Sequence, residues 1–349
     1  MTDLLYSEVE EELRASVRSL LADRTDLSRL EGPEPVDLKL WRRLAADLGC
    51  AGLPIPESAG GAGASWRETA VVMEELGRFA APVPFLGSAV LATAALPADD
   101  PLLAELAAGT RTATLAVPFS SAGGPQWTVT AEGGALSGAV TTVADALPAE
   151  VFLVPTAAGL FAVEAADVDR TAVVSLDLTR PVADLAFDGA AGRLVAADAG
   201  PLVARALVAG AALLASEQLG IAEWCLATTV EYGRTRRQFA RQIGSYQAIK
   251  HRLADLWVSV TQARAVARYA ADCLANDDPD LPVAASLAQA FCSPVAVKAA
   301  EECVQLHGGI GFTWEHPAHW YLKRARANAV ALGSATQHRA RLADLVNLP

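Results

Sequence analysis

The chain has 349 residues, 52% hydrophobic and 19% charged, which is enough to bury a large core in two or three packed units. Its net charge of −12 at pH 7 excludes the broad basic surface that DNA, RNA or anionic lipid would require. The N-terminal segment MTDLLYSEVEEELRAS has acids where a signal or transit peptide needs bases. No uninterrupted apolar run reaches the ~18 residues of a membrane span. We therefore expect neither a nucleic-acid partner nor a membrane span.

Cysteine usage indicates the compartment. The five cysteines are scattered along the chain, their number is odd, and none shows C-x-x-C spacing. This pattern fits reduced thiols better than a disulfide framework, so we expect a cytoplasmic protein.

The first 108 residues have a helical pattern. Apolar residues recur every three or four positions in SEVEEELRASVRSLLADR, LKLWRRLAADLG and SWRETAVVMEELGRFA. A loop, LPIPESAGGAGAS, separates the last two. Its glycines imitate a phosphate loop, but the Lys and Ser/Thr ending and the preceding strand are missing. We interpret residues 1–108 as a helical domain.

Residues 109–198 have a different texture, with short β-rich runs divided by turn signals. The runs are TATLAVPF, WTVTA, ALSGAVTTV, EVFLVP and GLFAVEA, and they predict a small antiparallel β domain. After residue 199 the helical pattern returns and continues to the end. In that region Ile249, Leu253, Leu256 and Val260 fall on one helix face. The predicted plan is therefore α (1–108), β (109–198) and α (199–349).

An arginine cluster, RTRRQFARQ, is the first candidate site. Four arginines fall within eight residues of an acidic chain, and on a helix Arg234, Arg237 and Arg241 would share a face. A solvated helix face explains this composition. A diphosphate site explains it too, because guanidinium groups bind phosphate oxygens bidentately.

QLHGGIGF is the second candidate, since Gly308 and Gly309 permit a close approach of a ligand to the backbone. A plain helix-to-helix turn is the alternative. His316 and His319 have the spacing of two metal ligands on a helix, but Pro317 lies between them and no third ligand is apparent. We therefore interpret them as surface or core histidines. No GxSxG motif indicates a serine nucleophile.

Together these stretches resemble the acyl-CoA dehydrogenase family. LWRRLAADLGCAGLPIPESAGGAG and EELGRFAAPVPF resemble its N-terminal helical domain. RRQFARQIGSYQAIKHRLADL and QLHGGIGFTWEHP resemble its two C-terminal signatures, in the same order and spacing. The resemblance implies a multidomain α+β fold with an N-terminal helical domain, a middle antiparallel β domain and a C-terminal four-helix bundle that mediates oligomerisation.

The family oxidises an acyl-CoA thioester to the 2,3-enoyl-CoA with FAD and passes electrons to an acceptor. This chemistry requires a carboxylate base, donors that polarise the thioester carbonyl, and a flavin beside the β-carbon. In family dimers the ADP portion of one flavin lies against the neighbour's C-terminal signatures. Two departures are mild: Gln238 stands where Thr is common, and Ala240 where Gly is common. The ADP-binding role falls on Arg236, Gln238, Phe239, Gln247, Gln305, Gly308 and Gly309.

The half that should hold the flavin ring departs strongly from the family. The family's Thr-Glu-Pro segment, which leads to Gly-Ser-Asp, is replaced in this chain by AVPFSSAGGPQW. Its ring-stacking Trp-Ile-Thr-Asn segment is matched by Thr142, Val143, Ala144 and Asp145. The resemblance therefore implies that the aromatic wall of the ring pocket is missing.

The catalytic base is also missing from both positions that the family uses. The Glu of its Tyr-Glu-Gly-Thr segment aligns with Leu332, or with Gly333 after a one-residue shift. The second base position aligns with Gly210, and Ala211 follows where many members have a substrate-site Arg. Ser334 and Thr336 could still offer hydroxyls to a flavin.

This combination predicts a non-catalytic subunit of a heteromeric acyl-CoA dehydrogenase. It resembles the short, base-lacking subunit of actinobacterial α2β2 enzymes for steroid and other bulky acyl groups. A homologous partner would supply the base, the ring pocket and most contacts to acyl-CoA. Two alternatives stay open: a flavin-free scaffold, and a homo-oligomeric dehydrogenase with its base at Glu217, Glu223 or Glu315.

Overall fold

The N-terminal part of the fold is helical. The computed structural model describes residues 4–32, 35–122 and 127–348. Capping boxes start two of its helices, because Ser7 and Ser65 accept from the first turn while Glu10 and Glu68 accept from the cap backbone. The helices are α1 Glu8–Arg24, α2 Leu38–Arg42, α3 Trp66–Phe79, α4 Thr93–Ala95 and α5 Leu102–Ala107.

The predicted helices α1 and α3 are confirmed, and α2 is shorter than predicted. The chain passes after Arg42 into a π-helix, Arg43–Asp47. A second π-helix, Leu86–Ala92, runs directly into α4 and was not predicted. Such irregular turns are frequent at functional sites, and this one contributes Leu91, which packs over Gly210.

Seven strands form one sheet in the order β1-β4-β5-β7-β3-β2, with β6 on β7. The pairs are antiparallel except β1 with β4, which is parallel. Strands β6 and β7 were not predicted. The 15-residue β7 has five alanines and two glycines, which weaken its β signal. The strands are β1 Ala113–Leu115, β2 Val129–Glu132, β3 Ala135–Ala144, β4 Val151–Thr156, β5 Gly159–Glu164, β6 Asp169–Ala172 and β7 Val182–Ala196.

The C-terminal part is a helical bundle around one long central helix, α6, which packs against α3, α7 and α8. Leu256 and Val260 are buried on α7, as its apolar face predicts. A short hairpin, β8 Arg237–Gln238 and β9 Arg241–Gln242, lies between α6 and α7. The helices are α6 Gly200–Thr235, α7 Gln247–Ala275, α8 Leu281–His307, α9 Ala318–Asn328 and α10 Ala335–Leu345.

Two bundle helices are long and apolar enough to cross a membrane by length and composition alone, although charged residues interrupt their apolar runs. They are Gly200–Thr235 and Leu281–Phe312, and 78% and 67% of their apolar windows are buried inside the protein. Both are therefore core helices. One continuous cluster of buried side chains joins them to α1, α3 and β1, so the three-domain division stays a prediction.

Candidate cofactor half-site and catalytic position

The arginine cluster does not form a helix face, so that part of the prediction was wrong. Helix α6 ends at Thr235, and the chain turns back in the β8–β9 hairpin. The two turn residues, Phe239 and Ala240, have φ of 52° and 62°, as a tight hairpin turn requires. Left-handed backbone suits glycine best, which explains the family's Gly at the position of Ala240.

The four arginines have different partners. Arg234 pairs weakly with Glu231 at 4.0 Å, and the guanidinium of Arg241 lies 3.8 Å from the centre of the Tyr246 ring. Arg236 and Arg237 are exposed, and within the described part of the chain no carboxylate lies within 4.0 Å of their guanidinium groups. Two positive charges are therefore available to an anion at the hairpin.

The glycine-rich signature lies at the same end of the bundle. The His307 ring stacks on Tyr232 at 4.4 Å, which brings the end of α8 beside the end of α6. Gly308, with φ of 63°, ends α8. A Cβ built on Gly308 or Gly309 would meet no atom within 4 Å, so a ligand or another chain could approach this backbone closely.

The other predicted half-site residues are on the same surface. Gln247 begins α7 and Gln305 lies in the last turn of α8, and both are exposed. Phe239 is 88% exposed at the hairpin tip. The structure thus brings the seven residues of the predicted ADP half-site to one end of the bundle, while their contact with FAD stays a prediction.

Behind this surface lies a buried polar cluster. A hydrogen bond from Cys225 lowers the pKa of the Cys303 thiol to about 5, and His307 contributes to the same shift. The His307 Nδ1 also donates to the Cys303 carbonyl at 2.7 Å. All five cysteines are free and buried, so these thiols belong to the core that supports Gly308.

The catalytic position is closed by apolar contacts. Leu332 is 2% exposed, and its Cδ1 lies 2.9 Å from where a Cβ on Gly210 would be. The Cδ2 of Leu91 lies 2.6 Å from that same point. The two positions that the resemblance predicts for the base, from segments far apart in sequence, therefore face each other. Neither carries an acid, and the Leu91 and Leu332 side chains cover Gly210.

The backbone at Leu332 is also occupied. Its N–H donates to the Phe119 carbonyl at 2.7 Å, and its carbonyl accepts from the His338 Nε2 at 2.9 Å. Burial lowers the pKa of His338, which favours the neutral form of its imidazole. With φ of 52° Leu332 stays in the left-handed region, held by these two bonds. The N–H is thus not available to a substrate carbonyl.

The segments that should enclose the flavin ring touch each other directly. The Phe119 N–H donates to the Thr142 carbonyl at 3.0 Å, and the Asp145 carboxylate accepts from Gly87 N–H at 2.9 Å. Burial raises the pKa of Asp145, although Arg180 opposes the shift. Residues 123–126 of the predicted ring segment lie outside the described residues. No aromatic side chain occupies positions 142–145.

The three glutamates considered as substitute bases do not resemble a base. Glu217 is fully buried and accepts from Arg180, Arg324 and Asn328. Burial alone would raise its pKa, but the two guanidinium groups hold it well below the usual value. Glu223 pairs with Arg264 at 2.6 Å. Both have structural partners, while Glu315 is exposed to solvent.

The remaining predicted polar residues have ordinary local roles. Ser334 caps α10, because its hydroxyl accepts from the Gln337 N–H at 3.3 Å, and Thr336 is exposed. The His316 ring lies 4.2 Å from His307, and His319 contacts tryptophan rings. Across residues 4–32, 35–122 and 127–348, no group of three or more His, Cys, Asp or Glu could hold a metal ion.

Comparison with known proteins identifies the family. The model of the acyl-CoA dehydrogenase N-terminal domain matches residues 7–98, and that of the C-terminal domain matches residues 200–346. Acyl-CoA dehydrogenase IpdE2 of Mycobacterium tuberculosis (strain ATCC 25618 / H37Rv) is 36% identical over 339 residues, which cover 95% of each chain. The chain belongs to the acyl-CoA dehydrogenase family. It is thus a member of a family of FAD-dependent oxidoreductases.

Two solved structures similar to this acyl-CoA dehydrogenase chain come from assemblies of two named chains. The ChsE4–ChsE5 complex from Mycobacterium tuberculosis matches with a TM-score of 0.89 and 30% identity over 100% of both chains. A variant of the steroid ACAD Tcur3481–Tcur3483 matches with a TM-score of 0.86 and 30% identity, covering 97% of this chain and 98% of that one. The α+β fold predicted from the sequence is confirmed.

The residues present fit one half of an FAD molecule and not the other. Arg236, Arg237 and the open backbone at Gly308 suit a diphosphate and its attached groups. At the ring side positions 142–145 carry no aromatic side chain, and the Leu332 N–H is already bonded to the Phe119 carbonyl.

Proposed function

We propose that this chain is a non-catalytic subunit of a heteromeric acyl-CoA dehydrogenase. A homologous partner supplies the base, the ring pocket and the acyl pocket, and this chain completes the partner's FAD site. The contact of Leu332 with Gly210 carries the proposal, because it fills both base positions with hydrocarbon. Removing a proton next to a thioester needs a positioned base, and neither position has one.

The end of the bundle that carries the hairpin and Gly308 supports a role in which this chain binds the partner's FAD. Among the described residues no carboxylate lies within 4.0 Å of the Arg236 and Arg237 guanidinium groups, and the adjacent glycines Gly308 and Gly309 are uncovered. A guanidinium group at this surface would bind the FAD diphosphate by charge-assisted hydrogen bonds. When bound, FAD supplies the hydride-accepting ring, which in this proposal lies in the partner's pocket.

Exposed aromatic side chains support a protein partner. Phe239, Trp257, Phe312 and Trp314 are 88%, 60%, 77% and 67% exposed, and they belong to the hairpin, to α7 and to the segment after α8. Tyr, Trp and Phe are enriched at protein–protein interfaces relative to the rest of the surface. A homologous subunit docked on the bundle would cover them.

Substrate and acceptor follow by analogy with relatives. The steroid ACAD among the similar structures favours a steroid side-chain or other bulky acyl-CoA, held mainly by the partner. Electrons would leave through the partner's flavin to an electron-transfer acceptor. The free, buried cysteines support a cytoplasmic location.

Arg236→Ala in a complex with any homologous subunit encoded beside this chain tests the proposal. Losing a charge-assisted phosphate contact of ~1.5–3 kcal/mol should weaken FAD binding about 10- to 100-fold. The dissociation constant is measured by reconstituting the apo complex and following flavin absorbance.

Arg234→Ala is the matched control, since Arg234 is a neighbouring exposed arginine with only a 4.0 Å contact to Glu231. Its FAD affinity should equal that of the wild type. Equal FAD affinity in wild type and Arg236→Ala would contradict the half-site assignment.

A further inference from the structure

Tyr246 lies outside the β8–β9 hairpin and contacts both of its strands. Its hydroxyl donates to the Gln238 carbonyl on β8 at 3.2 Å. Its ring faces the guanidinium of Arg241, on β9, at 3.8 Å. The next residue, Gln247, begins α7. One side chain therefore connects both strands of the hairpin to the start of the following helix.

We propose that Tyr246 is a positioning residue of the FAD half-site. It fixes the turn half of the β8–β9 hairpin so that Gln238 is presented to the diphosphate, beside Arg236 at the hairpin base, before FAD arrives. The inference rests on the proposed function, because it takes the hairpin as a surface that binds FAD. It assigns Tyr246 no contact with the cofactor.

The hairpin needs such support. It has only two residue pairs, Arg237 with Gln242 and Gln238 with Arg241. Phe239 and Ala240 both have left-handed backbone, which costs roughly 1–2 kcal/mol for each L-residue. Even longer isolated hairpins are marginal in water. Without an outside contact this turn would not hold one conformation.

The base of the hairpin is held by different contacts from its tip. The Ile243 N–H donates to the Arg236 carbonyl at 2.9 Å. Gly244 packs so closely on α6 that a Cβ there would lie 2.8 Å from the Gly233 carbonyl oxygen. These contacts anchor the strands at α6, while the contacts with Tyr246 hold the half nearer the turn.

The arginines at the hairpin have two different roles. Arg241 is committed to the Tyr246 ring, so its guanidinium serves the hairpin, whereas Arg236 keeps its guanidinium free. A cation–π contact contributes ~0.5–1 kcal/mol at an exposed site, and the hydroxyl bond ~1 kcal/mol. Loss of either contact loosens the hairpin, and loss of both loosens it more.

The first test uses this chain without FAD or partner. Hydrogen exchange at residues 238–242 is compared among wild type, Tyr246→Phe, Tyr246→Leu, Arg241→Gln and the control Arg234→Gln. We expect exchange to rise up to about fivefold in Tyr246→Phe, which keeps the ring, and about tenfold or more in Tyr246→Leu, which loses both contacts. Arg241→Gln should resemble Tyr246→Phe, and Arg234→Gln the wild type. Unchanged exchange in Tyr246→Leu would overturn the inference.

The second test measures FAD affinity of the reconstituted complex at several salt concentrations. Tyr246→Leu should weaken binding at least about fivefold but keep the wild-type salt dependence, because no phosphate contact is lost. Arg236→Ala should weaken binding and flatten the salt dependence. A loosened hairpin with wild-type FAD affinity in Tyr246→Leu would overturn the positioning role. If Arg236→Ala also binds FAD normally, the proposed function itself fails.

Discussion

Glu217 lies where the bundle, the sheet and the N-terminal helices meet, and arginines from two of these regions bind its carboxylate. Arg180 comes from the segment before β7, and Arg324 comes from α9. Arg324 also donates to the Ala81 carbonyl beyond α3, so one buried cluster ties the regions together. The partners are 37 and 107 residues away in sequence, so a single sequence could not distinguish this ion pair from a base.

Glu217→Gln should destabilise the fold strongly. Removing the charge leaves the buried Arg180 and Arg324 without a carboxylate within ion-pair distance, and breaking comparable buried pairs costs ~3–5 kcal/mol. Urea unfolding of the isolated chain measures the loss. The control is Glu301→Gln, whose partner Arg326 is exposed, and it should cost ~1 kcal/mol or less. Equal losses in the two variants would argue against the cluster as a structural centre.

The effect of Glu217→Gln should depend on pH. The folded pKa of Glu217 is held below its unfolded value of ~4.3, so its stabilisation is fully present above that value. It is lost as pH falls through the folded pKa. The difference in unfolding free energy between wild type and variant should thus be large at pH 7 and shrink below about pH 4. A difference in unfolding free energy that grows as the pH falls would contradict a lowered folded pKa for Glu217.

At the level of single residues, the sequence showed that Leu332 and Gly210 lack an acid. It did not show that they touch, because Gly210 lies on α6 and Leu332 follows α9. It also did not show that the Leu332 N–H is bonded to Phe119, since backbone partners depend on the tertiary fold. Because Leu91 and Leu332 pack over Gly210, apolar side chains fill the space where a base would lie.

At the scale of elements, helices with clear apolar periodicity were predictable and the hairpin was not. RTRRQFARQ contains no Gly or Pro, and Arg and Gln are good helix formers, so local preference favours continuing α6. Tertiary contacts override it: Gly244 packs on Gly233, and Tyr246 holds both strands. Strand β7 was missed for a similar reason, because pairing with β3 and β5 defines it more than its composition does.

Two glycines set the crossing of α3 and α6. A Cβ on Gly77 would lie 2.0 Å from the Glu217 carbonyl oxygen, and one on Gly220 would lie 1.9 Å from that of Glu74. Contacts this short are impossible, so the helices can pack at this distance only with glycine at both positions.

Gly220→Ala should therefore force α3 and α6 apart, at a cost of ~1–3 kcal/mol or more. Thermal unfolding of the isolated chain measures the fall in Tm. Gly309→Ala is the matched control, because its new Cβ would meet nothing within 4 Å, and its Tm should stay close to that of the wild type. A Gly220→Ala protein as stable as this control would contradict the close crossing.

At the scale of the whole molecule, one end of the bundle is open and the catalytic position is closed. The open end carries free guanidinium groups, uncovered glycines and exposed aromatic side chains. The closed position has Leu91 and Leu332 packed over Gly210. A self-sufficient dehydrogenase needs both an accessible FAD surface and an accessible catalytic position that carries a base, whereas a subunit that completes its partner's FAD site needs only the accessible FAD surface. A flavin-free scaffold would need neither the arginines nor the exposed glycines.

The most direct measurement compares two preparations: the chain alone, and the chain purified with any homologous subunit encoded beside it. Flavin absorbance and acyl-CoA oxidation are recorded for each. The proposed function predicts no turnover and little or no FAD in the chain alone, and both FAD and turnover in the complex. Bound FAD with acyl-CoA oxidation by the chain alone would contradict it, and a flavin-free complex would favour a scaffold.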